Sequence, residues 1–570
     1  MSMTMSTLMR IYIDRSRVET EQRCPRRRLL EYHVGGTGIS PVKKSLPLAV
    51  GGAVHVGLEA LLREGQALVD KANGDVDLAF SQRGWVQDIE EHAVAAALTD
   101  FAEHAGALEL DANEAAAMQE TEESLRQKAE MVAQAAELGM SVEGLGLDRE
   151  QAVGRFDAWL YSEQSALVEG LVRAYARRKL RLLLEQFEVL EVEREGEWKL
   201  SQWQWGPYSD SPHKSDDHNV ELWFMSRPDA LLRERQTNEL YLLSFKTTSG
   251  WDVRRAKSAE RDMQGLSEGV EVERRLAEWW RQIQEIRKHA DQTRRLEGLG
   301  SEVVDSSKVS PAMYNYLVGL SEPPRIHAIR YEYLLKGERW EDKELSAQLG
   351  MTVRTQRSHL IRQYVAHSVP KKGDGGYSVG DVCWSWDFTR PEDSSKSKLS
   401  ASNWHSQGVW DLEGGGVREW IDKLDRSEML MSGEDSTVGM EPRALGWRSE
   451  AQRMGVTSEH PLDAAFLPPV VIYRNEDELR DWIEQVEAQE REVAENVMRV
   501  AAAGDVGERR SVINRTFPMY RGSCFYPSQC PFTVVCYASE SDIKDDPLRS
   551  GLFKRRVPNH PQERSVEAHT

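Results

Sequence analysis

The chain has 570 residues, 40% of them apolar and 29% charged, with a formal net charge of −20. That length and apolar content allow one large or several modest domains with a real core. The acid excess weighs against nucleic-acid binding by the whole surface, leaving only a local basic groove for such a role, and five sparse cysteines argue against a secreted disulfide scaffold.

No apolar run reaches the ~18 residues that a membrane span needs. The N-terminus, MSMTMSTLMRIYIDRSRVE, has no long apolar stretch followed by a small-residue cleavage site. The expectation is an intracellular, cytoplasmic protein without a membrane segment.

In chain order, a segment to about residue 50 carries Cys24 and a group of basic residues, Arg23, Arg26, Arg27 and Arg28. Residues 51–64 (GGAVHVGLEALLRE) predict a helix, because Val54, Leu58, Leu61 and Leu62 recur at helical spacing. The Ala- and Glu-rich stretch from about 87 to 140 predicts a helical insertion forming an arm or cap. A second long helix is expected over about 153–186, with a basic run Arg173, Arg177, Arg178, Lys179 and Arg181. Each basic group is read either as a phosphate-contacting patch or as a solvated helix face.

FEVLEVE then has strand character, and VELWFMSRPDALL and ELYLLSFKTTS predict two strands joined as a hairpin by RERQTNE. A helical region over about 256–297 and a strand at RIHAIRYEYLLKGERW follow. The order is helix, strand, strand, strand, helix, strand, an α/β core spanning 51–340. Residues 341–465 read as an insertion, with Ser-, Gly- and charge-rich stretches at 390–408 and 428–462 expected to be loops or disordered. A long helix over NEDELRDWIEQVEAQEREVAENVMRVAAA opens a last unit, 466–570, that carries three cysteines. There is no internal repeat and no phosphate-binding GxxxxGK[ST] loop.

The chemistry-bearing pattern is Pro228-Asp229 beside one strand and Ser244-Phe245-Lys246 in the next. Carboxylates at strand ends suit a hard cation such as Mg²⁺, which lowers the pKa of an attacking water and offsets phosphate charge. A lysine beside them can orient that water or stabilise the charged transition state.

Taken with GGAVHVGLEALL upstream, the arginine-rich helix, and RDMQGLSE after LLSFKTTSGWD, this order resembles the RecB-like branch of the PD-(D/E)XK nucleases. Relatives in that branch include the CRISPR-adaptation nucleases and phage-type exonucleases. The resemblance runs roughly over residues 20–335 and resumes at 520–560. It implies a restriction-endonuclease-like core, a central mixed sheet flanked by helices, with large helical insertions. It also implies that His55 and Asp229 bind Mg²⁺ or Mn²⁺, that Lys246 is catalytic and that Gln264 lies near the site.

Two positions depart from the pattern. Ser244 stands where the family has Asp or Glu, and Glu268 where it has Tyr. The loss of a carboxylate leaves two readings. Either a nearby acid compensates, with Glu59 foremost and Glu193, Asp252 and Asp262 as others, or the fold binds DNA without cutting it.

Cys524, Cys530 and Cys536 form a C-x₅-C-x₅-C array, and Cys24 lies some 500 residues earlier. Three close thiols and one remote thiol can complete a tetrahedral sulfur site, and four thiolates can also bind zinc. The resemblance implies a [4Fe-4S] cluster stapling the chain ends, as in AddB-type nucleases, whose spacing is more often C-x₂-C-x₅-C. Cys383 is expected to be a buried small hydrophobe. The implied activity is a metal-dependent DNA nuclease, an exonuclease of recombination, repair or phage DNA processing, with DNA and a helicase or recombination protein as partners. The alternatives are an inactive DNA-binding module and a helical structural protein with a zinc staple.

Overall fold

The computed structural model describes residues 8–105, 164–205, 218–249, 259–297, 309–341, 461–525 and 529–558, apart from a few positions within them, and short pieces between 354 and 410. β1 (Leu8–Asp14) leads into α1 (Arg15–Arg23), whose first turn is capped by Asp14 accepting from the Arg17 amide at 2.8 Å. Cys24 is the extended hinge to α2 (Pro25–Tyr32), which opens on a proline that needs no backbone donor there. β2 (Ile39–Pro41) follows.

α3 (Leu46–Lys71) extends beyond the predicted 51–64 at both ends, because its apolar stripe continues through Ala49 and Val50 before it and Leu68 and Val69 after it. By length and composition α3 is apolar enough to cross a membrane. Its apolar face is instead the main core, packed with that of α5 (Arg83–Ala105), which follows the short α4 (Val76–Ser81).

This corrects the expectation of an arm from residue 87. Ala93, Val94, Ala97 and Phe101 are buried against α3, where Gly57 lets the helices meet; a Cβ there would lie 3.1 Å from that of Ala97. The rest of that expected insertion, beyond the first turns, lies outside the described residues, as do 390–408 and all but the last two positions of 428–462.

The helical residues 164–186 (α6) contain a π turn, Ala176–Leu180. They lead directly into β3 (Phe187–Val192), then β4 (Gly196–Trp205), β5 (His218–Ser226), β6 (Ala230–Glu234) and β7 (Leu240–Thr248). VELWFMSRPDALL is therefore two strands rather than one. Pro228 cannot donate to a ladder, and across Arg227–Asp229 the chain leaves one sheet for another. β5 lies between β1, parallel to it, and β4, antiparallel, in a three-stranded sheet that the sequence reading did not foresee.

The predicted hairpin is β6–β7, and it sits in a five-stranded mixed sheet. β3 flanks β6; on the other side β8 (Ile326–Leu335) runs parallel to β7 and β9 (Val470–Ile472) antiparallel to β8. The helix of this crossover is α7 (Met263–Glu297), followed by α8 (Pro311–Val318); both cover one face, with α3 and α6 on the other. The chain is thus of the α/β class, with helices on both faces of a mixed sheet.

α9 (Glu476–Ala502), opened by an Asn475–Glu478 capping box, covers the three-stranded sheet through Trp482, Val486 and Met498. α10 (Val506–Thr516) and β10 (Phe553–Arg555) complete the fold, β10 pairing with β2. The two chain ends are therefore joined. Arg28 in α2 and Glu490 in α9 form an ion pair at 2.6 Å with both side chains 1% exposed.

Candidate metal centre

Four strands line up one row of residues. β3 pairs Val192 with Ala230, β6 pairs Ala230 with Leu243, and β7 pairs Ser244 with Tyr331. Continuing these registers by one step sets Glu193 opposite Asp229 and Asp229 opposite Ser244. The row reads Glu193, Asp229, Ser244, Tyr331, and it crosses the sheet where β3 ends and β6 begins.

Backbone geometry fixes the first two. The Glu193 amide donates to the Asp229 carbonyl at 3.0 Å, and Glu193 holds a left-handed φ of +48°. Such a conformation is uncommon for a residue with a long side chain and is retained where the surroundings impose it. Asp229 is buried, and its Oδ2 accepts from the Phe245 amide at 2.5 Å. Its Oδ1 lies 3.4 Å from His55 Nδ1, which α3 delivers against the edge of Phe245. Among the described residues, His55, Glu193 and Asp229 are the group whose ligand atoms all lie within 4.8 Å of one another.

Their charges are divided unequally. Burial, then the neighbouring Asp229 and Glu59 carboxylates, push Glu193 up to about 8, against the pull of Arg227 at 2.7 Å. Asp229 is also penalised by burial, but His55, the Phe245 amide and Lys246 outweigh that and hold it below the usual carboxylate range. At neutral pH, Asp229 therefore carries the charge and Glu193 the proton. A divalent cation held by the three would release that proton.

Lys246 lies on the same face of β7 as Ser244, two residues on. Its Nζ donates to Gln264 Oε1 and lies 3.4 Å from Asp262 Oδ2. Arg15 Nη1 donates to the same Gln264 oxygen at 2.8 Å. The four sequence-predicted site residues are therefore brought together, His55 on Asp229 and Lys246 on Gln264.

Of the acids proposed to replace a carboxylate at 244, Glu193 joins the ligand group. Glu59 is held by Arg63 at 2.6 Å, and Asp262 faces Lys246. Asp252 lies outside the described residues. Ser244 itself is fully buried, and its hydroxyl has no hydrogen-bond partner. A cavity of about 690 Å³ opens beside Asp262, lined by Glu19, Glu260, Glu478 and Asp481 among others. Its acid-rich wall suits a polyanion poorly, and the ligand group lies outside it.

The cysteines converge from both ends of the chain. All four are free thiols, with Cys24 and Cys524 buried and Cys530 and Cys536 half-buried. The Cys530 amide donates to the Cys524 carbonyl at 2.8 Å, and Tyr537 Oη donates to Cys524 Sγ at 3.7 Å. Cys530 and Cys536 each feel the charge of Cys24 and Cys524, and burial pushes both upward, Cys536 to about 11, against the pull of Arg27 and Arg26 respectively.

No three of these sulfurs lie within 4.8 Å of one another. Cys383 lies in a short strand, Val382–Trp386, and its burial lies outside the described residues.

Most arginines of the two basic groups have partners within the protein. Arg173 and Arg177 bind Glu90 at 2.7 and 2.8 Å, Arg178 binds Asp463 at 3.0 Å and Arg181 binds Asp77 at 2.6 Å. Arg27 pairs with Glu31 at 2.7 Å, Arg28 with Glu490, and Arg26 donates to the Phe517 carbonyl at 2.9 Å. Arg23, 3.8 Å from Glu19, stays largely exposed.

Sequence reasoning named Glu193 only among several candidates and left Glu268 as a departure. The signal for Glu193 was an acid immediately after a strand; choosing it needed the register of β3 against β6. No protein-family model matches the chain, and no curated protein matches it.

Proposed function

We propose that this protein is a divalent-metal-dependent DNA nuclease of the RecB-like PD-(D/E)XK kind, an exonuclease in recombination, repair or phage DNA processing. The observation that carries the reading is the meeting of His55, Glu193 and Asp229 ligand atoms within 4.8 Å at the edge of a mixed sheet, with Lys246 on the adjoining strand. A bound Mg²⁺ or Mn²⁺ supplies an acidified water and offsets charge on the scissile phosphate. Asp229, Glu193 and His55 hold the cation in this reading. Lys246 is drawn from Gln264 and Asp262 toward the phosphate and stabilises the transition state. The four cysteines hold a [4Fe-4S] cluster, with zinc as the alternative, and join the chain ends.

Incubation of linear single- and double-stranded DNA with the purified protein tests this. Cleavage is expected with Mg²⁺ or Mn²⁺ and not with a chelator, and Asp229→Asn and Lys246→Ala should each lower the rate by ~10²–10³. Salt-dependent DNA binding without cleavage would favour the inactive DNA-binding module, the reading that the neutral Ser244 supports. Neither binding nor cleavage would overturn both.

A further inference from the structure

Glu268 is an acid in an unexpected place. It is 3% exposed, and its Oε2 has no hydrogen-bond partner. A buried carboxyl with an idle oxygen costs folding free energy, so its presence calls for a role.

Its position narrows the choice. Glu268 lies one helical turn after Gln264 on α7, on the same face, and its other link is to the Gln264 side chain, the group that Lys246 and Arg15 grip. The helix runs close to the sheet here. A Cβ on Gly265 would lie 2.4 Å from Tyr331 Oη and 2.6 Å from Ile329 Cδ1. Tyr331 is the register partner of Ser244, and Glu268 acts electrostatically on Tyr331 as well as on Asp229. Ser244 Oγ, Tyr331 Oη and Glu268 Oε2 are three buried polar atoms without hydrogen-bond partners.

We propose that Glu268 supplies, from helix α7, the carboxylate that strand position 244 lacks, and that with Asp229 it binds the divalent cation through the space the small Ser244 leaves open. This deepens the nuclease reading and rests on it. Exchange of side-chain size accompanies exchange of charge. A carboxylate on the strand would occupy the space that a carboxylate from the helix now enters, and the short serine removes the conflict. The neutral residue at 244 then no longer marks a dead site, because the charge has moved rather than vanished.

Mn²⁺ binding by titration calorimetry and cleavage of linear DNA are measured on the full-length wild type, Glu268→Gln, Ser244→Asp and the double variant, with thermal unfolding of each. Glu268→Gln is isosteric and removes a buried acid, so it should unfold no earlier than wild type, yet bind Mn²⁺ at least ~10-fold more weakly and lose cleavage. The double variant, with the carboxylate returned to the strand, should recover Mn²⁺ affinity to within a few-fold of wild type. Ser244→Asp alone crowds two carboxylates and should lower thermal stability. Wild-type Mn²⁺ affinity in Glu268→Gln, or a gain of affinity in Ser244→Asp alone, would overturn the assignment and leave the nuclease reading standing. A wild type that binds no Mn²⁺ would overturn both.

Discussion

Removing Glu490 should cost more stability than almost any other single polar change in the described residues. Arg28 is 1% exposed, and among the described residues its only side-chain hydrogen bond is from Nη2 to Glu490 Oε2 at 2.6 Å; its Nε and Nη1 have no hydrogen-bond partner. The ring of Tyr32 lies 5.2 Å from the guanidinium; Arg17 is close enough to repel it and Asp14 and Glu21 to attract it, though neither acid hydrogen-bonds to it. Without Glu490 the cation stays buried with little to balance it, and uncompensated buried charges of this kind cost about 3–5 kcal/mol. Glu490→Ala should therefore lower unfolding free energy by that amount, and Arg28→Met by a similar one. Replacing both, Arg28→Met with Glu490→Leu, should fall within about 1 kcal/mol of wild type, because the cost of desolvating two charges disappears with their attraction. Urea unfolding followed by tryptophan fluorescence reads this directly, since Trp482 lies on α9 and Trp198 and Trp203 belong to the core it covers. Loss of less than about 1 kcal/mol in Glu490→Ala, or a double variant as unstable as the singles, would refute the reasoning.

His33 is half-buried with no partner for its inaccessible Nε2, and desolvation followed by Arg28, Arg17 and Arg556 holds its pKa well below 6.5. A base with a depressed folded pKa stabilises fully above the unfolded value and loses that contribution as pH falls. Stability should therefore drop below pH ~6.5 by up to about 1.4 kcal/mol per unit, and His33→Leu should flatten this slope in acid-unfolding titrations. Gly265→Ala drives a methyl into Tyr331 and Ile329, and should destabilise by about 1–3 kcal/mol in chemical denaturation. Anaerobically purified protein should carry iron and acid-labile sulfide with broad visible absorbance; Cys530→Ser should abolish the absorbance, and stoichiometric zinc in a colourless wild type would replace the cluster reading.

The five-stranded sheet was largely legible because its elements announce themselves locally. α3 and α9 show a 3.6-residue apolar period, and β7 and β8 are near-continuous apolar runs, as strands covered on both faces must be. The three-stranded sheet was hidden for two reasons. A bulge between Lys199 and Ser201 shifts the alternation of β4, so that Trp198 and Trp203 are both buried although five residues apart. β1 pairs with β5 across some 200 residues of chain, and no local pattern encodes that. The division of VELWFMSRPDALL did carry a signal, Pro228 in the middle of an apolar run, which belongs at the end of a strand rather than inside one.

The site was legible to the extent that chemistry and local geometry coincide. Asp229 follows a proline at a strand start, Lys246 alternates with Ser244, and His55 lies on a helix with a plain apolar face. What the sequence could not give is how acids from different elements meet. Glu193 and Glu59 are both glutamates on predicted elements, yet only the β3–β6 register, with Glu193 forced to a positive φ, brings one of them onto Asp229. Glu268 is a subtler case. Its spacing from Gln264 fixes the helix face, but whether that face looks to solvent or onto Tyr331 depends on how closely α7 approaches β8, and Gly265 sets that approach. A motif read along one strand records a carboxylate as lost at 244. The folded chain has two others, Glu193 and Glu268, within electrostatic reach of Asp229, and a cation responds to the charge around it rather than to the strand from which that charge comes.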